Sequence, residues 1–336
     1  MGLASGVRAP ASSGGTWRRS AIRYALGIAA LACLGAGGAP PVVAILASAE
    51  LRADGIDAFR QSLHALGLID GRNLNLEYVA GEGDYGRLSA MAADLAKRRV
   101  AVIIAISLPA ARAAQAATSS VPILFVAGAD PVATKLVASL NRPGGNVTGV
   151  TNMLGELGPK RLEIILELVP DAKRLGLVSN PTNQNAESHA RSVIAAANAA
   201  GREVIVRNAK GEDDIVRAIA DFAALGVGAV LVADDPVFTA KHETLVESAA
   251  RFKLPAIYYA ATFVEHGGLI SYGPRSGQSF PLLAGYVARI LKGAKPADLP
   301  VHRPTAFDLV VNLKTARALG LAVPSAILYR ADAVIE

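Results

Sequence analysis

The chain has 336 residues, of which 52% are hydrophobic and 18% are charged, and this excludes an intrinsically disordered protein. The length suffices for two domains. Much of the net charge of +6 comes from residues 1–38, which contain Arg8, Arg18, Arg19 and Arg23 and no acidic residue. The remaining 30 basic and 28 acidic residues nearly balance, so we expect no nucleic-acid partner.

The first 38 residues have the pattern of a secretory signal peptide. Their arginines precede an apolar run at 25–34, and small residues follow at 35–38, as in a cleavable signal. The apolar run is about half of the ~20 residues that span a bilayer. We therefore expect the mature chain to be exported to the periplasm.

Cys33 is the only cysteine, so an intrachain disulfide is excluded. The preceding residues, Ala30, Leu31 and Ala32, loosely resemble a bacterial lipobox. Two outcomes stay open at this stage. Cys33 either leaves with the signal or becomes a lipidated N-terminus, which would then be the only attachment to a membrane.

From residue 42 onwards, apolar runs typical of strands alternate with segments of helical periodicity. The pattern predicts strands at 42–47, 73–79, 100–106 and 122–126 and helices at 53–66, 85–98 and 109–117. An alternation of this kind implies a parallel sheet with helices on both faces.

The second half of the chain repeats the first. Four segments match in the same order: 43–46 with 175–178, 80–84 with 209–213, 101–105 with 229–233, and 121–125 with 254–258. The repeat predicts an α/β protein with two similar doubly wound lobes, each with a parallel sheet, joined by a hinge. The expected domains are the signal at 1–38, lobe 1 at 40–152 plus about 274–304, and lobe 2 at 153–273 plus about 305–336.

Several kinds of chemistry lack support in the sequence. The glycines Gly81, Gly83 and Gly86 match a dinucleotide fingerprint, but Glu82 and Asp84 would oppose a pyrophosphate, so a turn that starts a helix is expected instead. The five histidines are scattered and predict no metal site. No nucleophile elbow or Walker loop is present. We therefore expect no cofactor and no enzymatic activity.

Polar residues follow the predicted strands at the edge where parallel strands end, which is the ligand-binding edge of open α/β sheets. Short hydroxyls, amides and carboxylates suit the charged groups of a zwitterion. Each of them alone is also explained as a helix cap or turn residue. Together with one apolar neighbour, the predicted ligand-binding residues are Ser48, Glu50, Ser107, Leu108, Asp130, Thr151, Asn180, Thr182, Asp234, Asp235, Tyr259 and Tyr272.

Several phrases along the chain resemble a known family. They are FRQSL at 59–63, GRNL at 71–74, DPV at 130–132, RPGGNVTG at 142–149, KRLE at 160–163, SYG at 271–273, LKGAKPADLP at 291–300 and NLKTA at 312–316. With these phrases the chain resembles the tryptophan-type substrate-binding proteins of bacterial ABC transporters, which have the type I periplasmic binding fold. The resemblance extends from about residue 42 to the C-terminus.

The resemblance implies a monomer that closes its two lobes on a small molecule, amino-acid-like or aromatic, and delivers it to the transmembrane permease subunits. One departure concerns the ligand. Leu108 stands where relatives often carry a hydroxyl that faces the ligand, so specificity for tryptophan or tyrosine does not follow from the resemblance alone.

Two other functions stay open at this stage. One is a ligand-sensing module of a receptor or regulator, although the sequence has neither an N-terminal helix-turn-helix nor a run long enough to span a membrane. The other is a two-lobed enzyme such as a glycosyltransferase, for which a phosphate-binding glycine loop and a catalytic acid pair are not evident.

Overall fold

The computed structural model describes residues 39–51, 53–152, 154–275, 277–303 and 306–336, so the predicted signal lies outside the described residues. The strands are β1 (Val42–Ala47), β2 (Asn75–Ala80), β3 (Val102–Ile106), β4 (Ile123–Ala127), β5 (Val147–Thr151), β6 (Arg174–Ser179), β7 (Glu203–Asn208), β8 (Ala229–Val232), β9 (Ala256–Tyr258), β10 (Ile270–Pro274), β11 (Phe307–Asn312) and β12 (Ala333–Ile335).

The helices are α1 (Ala53–Ala65), α2 (Tyr85–Lys97), α3 (Leu108–Ala117), α4 (Gly158–Leu168), α5 (Ala186–Ala199), α6 (Glu212–Ala224), α7 (Pro236–Ala240), α8 (His242–Arg251), α9 (Ala261–Glu265), α10 (Ser279–Leu291), α11 (Leu313–Ala318) and α12 (Ser325–Arg330). Short 3₁₀ turns cover Leu154–Leu157 and Pro296–Asp298. In the part of the chain that the structure describes, none of the helices combines the length and apolarity needed to cross a membrane.

The first sheet has the strand order β2-β1-β3-β4-β5, and all of its strands are parallel. Alternate residues of β1 enter two separate cores: Ala44 and Leu46 on one face, Val43 and Ile45 on the other. Helices α2 and α3 cover the first face, and α1 and α10 cover the second. This double burial explains why β1 is a continuous apolar run rather than an alternating one. We call this sheet with its four helices lobe 1.

The second sheet, which with its helices we call lobe 2, has the order β12-β11-β10-β9-β8-β6-β7. Its segment β7-β6-β8-β9-β10 repeats the order of the first sheet and is likewise parallel, while β11 runs antiparallel to β10. The expected α/β fold with two similar lobes is therefore confirmed. Three of the repeated segment pairs occupy equivalent strands, and the fourth, 80–84 with 209–213, lies at the equivalent turn between a strand and a helix.

The chain crosses between the lobes three times: after β5, after β10 and before β11. The crossing strands lie very close to their neighbours. A Cβ atom on Gly149 of β5 would lie 2.1 Å from the carbonyl oxygen of Phe125, and one on Gly273 of β10 would lie 1.8 Å from that of Tyr259. Only glycine permits this approach, so a side chain at either position would push the crossing strand away from its neighbour.

The predicted elements agree with the observed ones apart from their ends. The strand predicted from residue 73 begins at Asn75, because the Asn73 side chain accepts a hydrogen bond from Ile69 N (2.7 Å) and donates one to Gly67 O (2.8 Å). The sequence around Gly81 is a helix-starting turn, as expected, in which Asp84 caps α2.

Candidate functional site

A cavity of about 160 Å³ lies between the lobes, at the edge where strands of both sheets end. One buried water needs only ~10–15 Å³, so the cavity has room for a small molecule. Its lining residues are Ala49, Glu50, Leu51, Ile106, Ser107, Leu108, Pro109, Val126, Gly128, Asn152, Leu154, Asn183, Asn185, Asp234, Pro236 and Thr239. Apolar walls with a few polar groups are typical of small-molecule sites. Within the described lining there is no lysine, arginine or histidine, so the charge of Glu50 and Asp234 favours a cationic group.

Asp234 follows β8 in lobe 2, and its carboxylate reaches across to lobe 1. A Cβ atom on Gly128 would lie 2.1 Å from Asp234 Oδ2, so a side chain at position 128 would displace this carboxylate. No residue in the described part of the chain donates a hydrogen bond to this carboxylate. Burial raises the pKa of Asp234 to about 7, against the opposing positive charge of Arg161. The Asp234 carboxylate therefore has oxygen atoms free to accept hydrogen bonds from a ligand in the cavity.

Asn152 provides a second unused acceptor. It follows β5 in the first crossing segment and lines the cavity. Its side-chain Oδ1 atom is buried and has no hydrogen-bond partner among the described residues. A buried polar atom without a partner is costly, so this oxygen is suited to accept a hydrogen bond from a ligand N–H group.

The lobe 1 wall contains a strained residue at the N-terminus of α3. Ser107 has φ +107° and ψ 162°, a conformation that non-glycine residues rarely adopt, and its hydroxyl caps the helix by accepting from Ala110 N (3.2 Å). The same hydroxyl also bonds the buried Ser48. Strain of this kind is concentrated at ligand sites. The adjacent Leu108 is buried and supplies apolar surface.

Asp235 lies beside Asp234, but its carboxylate accepts hydrogen bonds from other groups of the protein. It is 1% exposed and accepts hydrogen bonds from Asn180 Nδ2 (3.0 Å) and Asn183 Nδ2 (2.7 Å). It also caps α7 through Val237 N (2.8 Å) and accepts from Tyr85 Oη (2.9 Å). Tyr85 begins α2 of lobe 1, so this last bond joins the two lobes. The lobes are therefore in contact, as expected of a closed conformation.

A buried cation lies behind the cavity wall. Arg161 of α4 is 1% exposed and donates from Nη2 to Leu154 O (3.0 Å) and from Nη1 to Tyr272 O (3.4 Å), which lie where the chain crosses between the lobes. Burial lowers the pKa of Arg161 to about 10, partly offset by the charge of Asp234. Burial and the Arg161 charge together lower the pKa of His189 to about 3. At neutral pH, Arg161 is thus cationic and His189 neutral.

Two further predicted residues are buried within the walls. The Thr151 hydroxyl donates to Ala129 O (2.8 Å), and the Tyr259 hydroxyl donates to Asp235 O (2.8 Å). Both side chains bond backbone at the base of the cleft. They support the walls of the cavity rather than line it.

The remaining predicted residues lie beside the cavity. Asp130 accepts hydrogen bonds from N–H groups of its own turn and lines a neighbouring cavity of about 200 Å³. Thr182 donates to Asn180 Oδ1 (2.7 Å) and lines a space of about 470 Å³ at the rim of the lobes. The Tyr272 ring packs against Phe307, with ring centroids 6.0 Å apart. Four of the predicted residues thus line the cavity directly: Glu50, Ser107, Leu108 and Asp234.

The prediction from sequence did not include several lining residues. Asn152 lies in the segment that crosses between the lobes after β5, and Asn185 lies just before α5. Thr239 lies inside α7. A polar residue directly after a predicted strand is the sequence signal for this site. Thr239 does not carry this signal, and Gly128 contributes only by having no side chain.

The chain is similar to known proteins in both sequence and structure. The tyrosine-binding protein of Clostridioides difficile is 28% identical over 269 residues, which are 80% of this chain and 77% of that protein. A solved ABC domain from Streptococcus pneumonia in complex with L-Trp is 26% identical, with a TM-score of 0.77 over 87% of this chain and 100% of that one.

A ligand-free, open substrate-binding protein with adhesive properties from Clostridium difficile is 25% identical, with a TM-score of 0.62 over 88% of this chain and 99% of that one. At nearly equal identity, the present structure is thus more similar to the ligand-bound protein, in agreement with its joined lobes. Residues 42–335 match the family described as ABC transporter substrate binding protein. The chain belongs to this family of ABC transporter substrate-binding proteins, with a fold of the type I periplasmic binding class.

Proposed function

We propose that this protein is an exported solute-binding protein that closes on an aromatic amino acid and delivers it to the permease of an ABC importer. The observation that carries the proposal is the cavity between the lobes, where the carboxylate of Asp234 lies among apolar walls and accepts no hydrogen bond from a described residue. Family membership supports the transport role. In this role the chain binds and releases its ligand without chemical change, and it is not an enzyme.

The ammonium group of the ligand is the natural partner for Asp234 and Asn152. Both offer oxygen atoms without donors from the described protein, and an ammonium group carries three N–H donors. Charge-assisted bonds of this kind are stronger than neutral ones. An ammonium at this position would also lower the pKa of Asp234 and keep the carboxylate ionised.

The carboxylate of the ligand fits the lobe 1 wall best. The N-terminus of α3, which has ten residues, carries a partial positive charge from the helix dipole. The Ser107 hydroxyl lies there, and Asn185 of lobe 2 lines the same cavity. The ligand would thus contact Asp234 of lobe 2 with its ammonium group and Ser107 of lobe 1 with its carboxylate, and contacts with both lobes are how a ligand stabilises a closed conformation.

The apolar part of the cavity supports an aromatic side chain. Leu51, Ile106, Leu108, Val126 and Leu154 all line it. The names of the two relatives are consistent with this, since one binds tyrosine and the other was solved with L-Trp. Leu108 offers contact area rather than a hydrogen bond, so we propose a preference for aromatic over polar amino acids.

Export is supported by the sequence of residues 1–38. We propose that the signal directs the mature chain to the periplasm, either free or anchored through a lipid on Cys33. Both forms would place the cleft on the side of the membrane where an importer collects its substrate.

The bond between Tyr85 and Asp235 is proposed to stabilise the closed state. Tyr85→Phe removes the Oη donor, but Asp235 keeps three other donors, so the loss is that of one ordinary hydrogen bond. We expect a cost of about 0.5–1.5 kcal/mol, which is roughly a 2- to 12-fold rise in the Kd for L-tryptophan in calorimetry. The control is Tyr329→Phe, since Tyr329 is 93% exposed. Equal affinities of the two variants would argue against a role of this bond in closure.

A thermal-shift screen of the twenty amino acids tests the proposed function. A ligand present at 100 times its Kd adds about 2.7 kcal/mol to the free energy of unfolding, which raises the melting temperature by several degrees for a chain of this size. We expect shifts with tryptophan, tyrosine or phenylalanine and none with aspartate or lysine. A shift confined to charged amino acids, or absent with all twenty, would contradict the proposal.

A further inference from the structure

Lobe 2 carries a cluster of metal-ligating side chains outside the cavity. His242 and Glu243 begin α8, and His266 follows α9. The two histidines are 24 positions apart in the sequence, which gave no sign of a metal site, but the fold brings their rings to a centroid distance of 4.4 Å. One ligand atom from each of the three residues lies within 4.8 Å of the others.

The hydrogen bonds of both imidazoles fix the proton on the same ring nitrogen. His242 Nδ1 lies 2.9 Å from Thr239 O, and His266 Nδ1 lies 2.8 Å from Thr262 O. A carbonyl oxygen only accepts, so each Nδ1 carries the proton and each Nε2 keeps a free lone pair in the neutral ring. Histidines that bind metals generally have this arrangement, with the other nitrogen donating to a carbonyl or carboxylate.

An unexplained buried atom points to a ligand at this cluster. The Nε2 atom of His242 is buried and has no hydrogen-bond partner among the described residues. Its ring is held at a fixed angle by an edge contact with Phe263, with centroids 6.2 Å apart and an angle of 84° between the planes. A metal ion is one of the few partners that an unprotonated buried nitrogen can have.

We propose that His242, Glu243 and His266 bind a single divalent transition-metal ion of the Zn²⁺ type. Two imidazoles and one carboxylate are an established ligand set for zinc. Ligands of a tetrahedral ion lie about 3.3 Å apart, given bond lengths of ~2.0–2.1 Å. Glu243 and His266 are exposed, so their side chains can close the remaining distance by rotation, and water would complete the coordination.

The charges around the cluster allow a cation. Lys241, the nearest basic residue in the sequence, is held by Glu212 with Nζ and Oε2 3.1 Å apart. The N-terminus of α8 carries a partial positive charge from the helix dipole, which is unfavourable for a nearby cation. Glu243 lies in the first turn of this helix, and its negative charge offsets that effect. The site is separate from the ligand cavity, and its test does not depend on the proposed function.

The test is a calorimetric titration of Zn²⁺ into the untagged full chain after treatment with a chelator. The expected result is one ion per chain at this cluster. His266→Ala removes a proposed metal ligand that is exposed, and we expect it to weaken Zn²⁺ binding roughly 100-fold or more. Loss of a residue that only hydrogen-bonds a metal ligand already weakens metal binding about 10- to 100-fold. Glu243→Gln should weaken binding to a smaller extent.

The matched control is His64→Ala, because His64 is also exposed but lies alone on α1. It should bind Zn²⁺ like the wild type, and the melting temperature of each variant without metal should stay unchanged. Absence of Zn²⁺ binding by the wild type would overturn the proposal. Undiminished binding by His266→Ala, or equal loss in His64→Ala, would overturn it as well.

Discussion

Replacement of Asp234 by asparagine is expected to weaken the binding of L-tryptophan by roughly 30- to 5000-fold. The substitution keeps the shape of the side chain but removes the negative charge that would pair with the ammonium group. Loss of one partner from a desolvated charge pair costs about 2–5 kcal/mol, which corresponds to this range of Kd. Calorimetry on the wild type and the variant measures the effect.

A ligand analogue separates this role from a structural one. 3-Indolepropionate has the ring and carboxylate of tryptophan but no ammonium group. If Asp234 binds the ammonium, Asp234→Asn should change the affinity for this analogue far less than that for L-tryptophan. Equal losses for both compounds would mean that Asp234 acts only by shaping the cavity.

The same variant should be more stable than the wild type when no ligand is bound. Burial raises the pKa of Asp234 from 3.8 to about 7, so between these values the folded chain holds a proton that the unfolded chain has lost. Stability due to this group is therefore full below about pH 4 and falls as the pH rises to about 7. We expect Asp234→Asn to raise the melting temperature more at pH 8 than at pH 5. A larger gain at pH 5 would contradict this assignment.

Gly128→Ala is expected to weaken ligand binding by about 5- to 150-fold without unfolding the protein. The new Cβ atom would lie 2.1 Å from Asp234 Oδ2 and 3.1 Å from Leu154 Cβ. Overpacking of this kind costs about 1–3 kcal/mol, which gives the stated range of Kd. The clash is mainly with the opposite lobe, so opening of the cleft relieves it. Calorimetry with L-tryptophan and small-angle scattering on the ligand-free chain measure both consequences.

The matched control for this variant is Gly285→Ala. Gly285 lies inside α10, and a Cβ atom there would meet nothing within 4 Å. We expect unchanged ligand affinity and a slight gain in stability, because alanine favours a helix. Equal affinities of Gly128→Ala and Gly285→Ala for L-tryptophan would contradict the close approach of Asp234 to Gly128 in the ligand-bound protein.

The fold was accessible from the sequence because its signals are local and repeated. Buried parallel strands such as β1 are continuous apolar runs, and their repetition in the second half fixed the two-lobe architecture. Strand ends were less accurate. Asn73 extends the alternating pattern of β2, but its side chain closes the preceding turn, and such a bond is not visible in the pattern.

The site was accessible only in part, since a strand end identifies an edge and not the direction of a side chain. Asp234 and Asp235 are adjacent and equivalent in the sequence, yet one faces the cavity and the other accepts four hydrogen bonds within the protein. The same limit concealed the histidine cluster, since the contact between His242 and His266 depends on how α8 and α9 pack.

The most direct test of the account is a calorimetric titration of the wild-type protein with L-tryptophan, L-tyrosine and L-phenylalanine. We expect at least one of them to bind with a stoichiometry of one per chain, at the cavity that Gly128 and Asp234 line. We also expect tryptamine and 3-indolepropionate, which each lack one charged group of tryptophan, to bind more weakly than L-tryptophan. Absence of binding by all three aromatic amino acids to the folded protein would contradict the account.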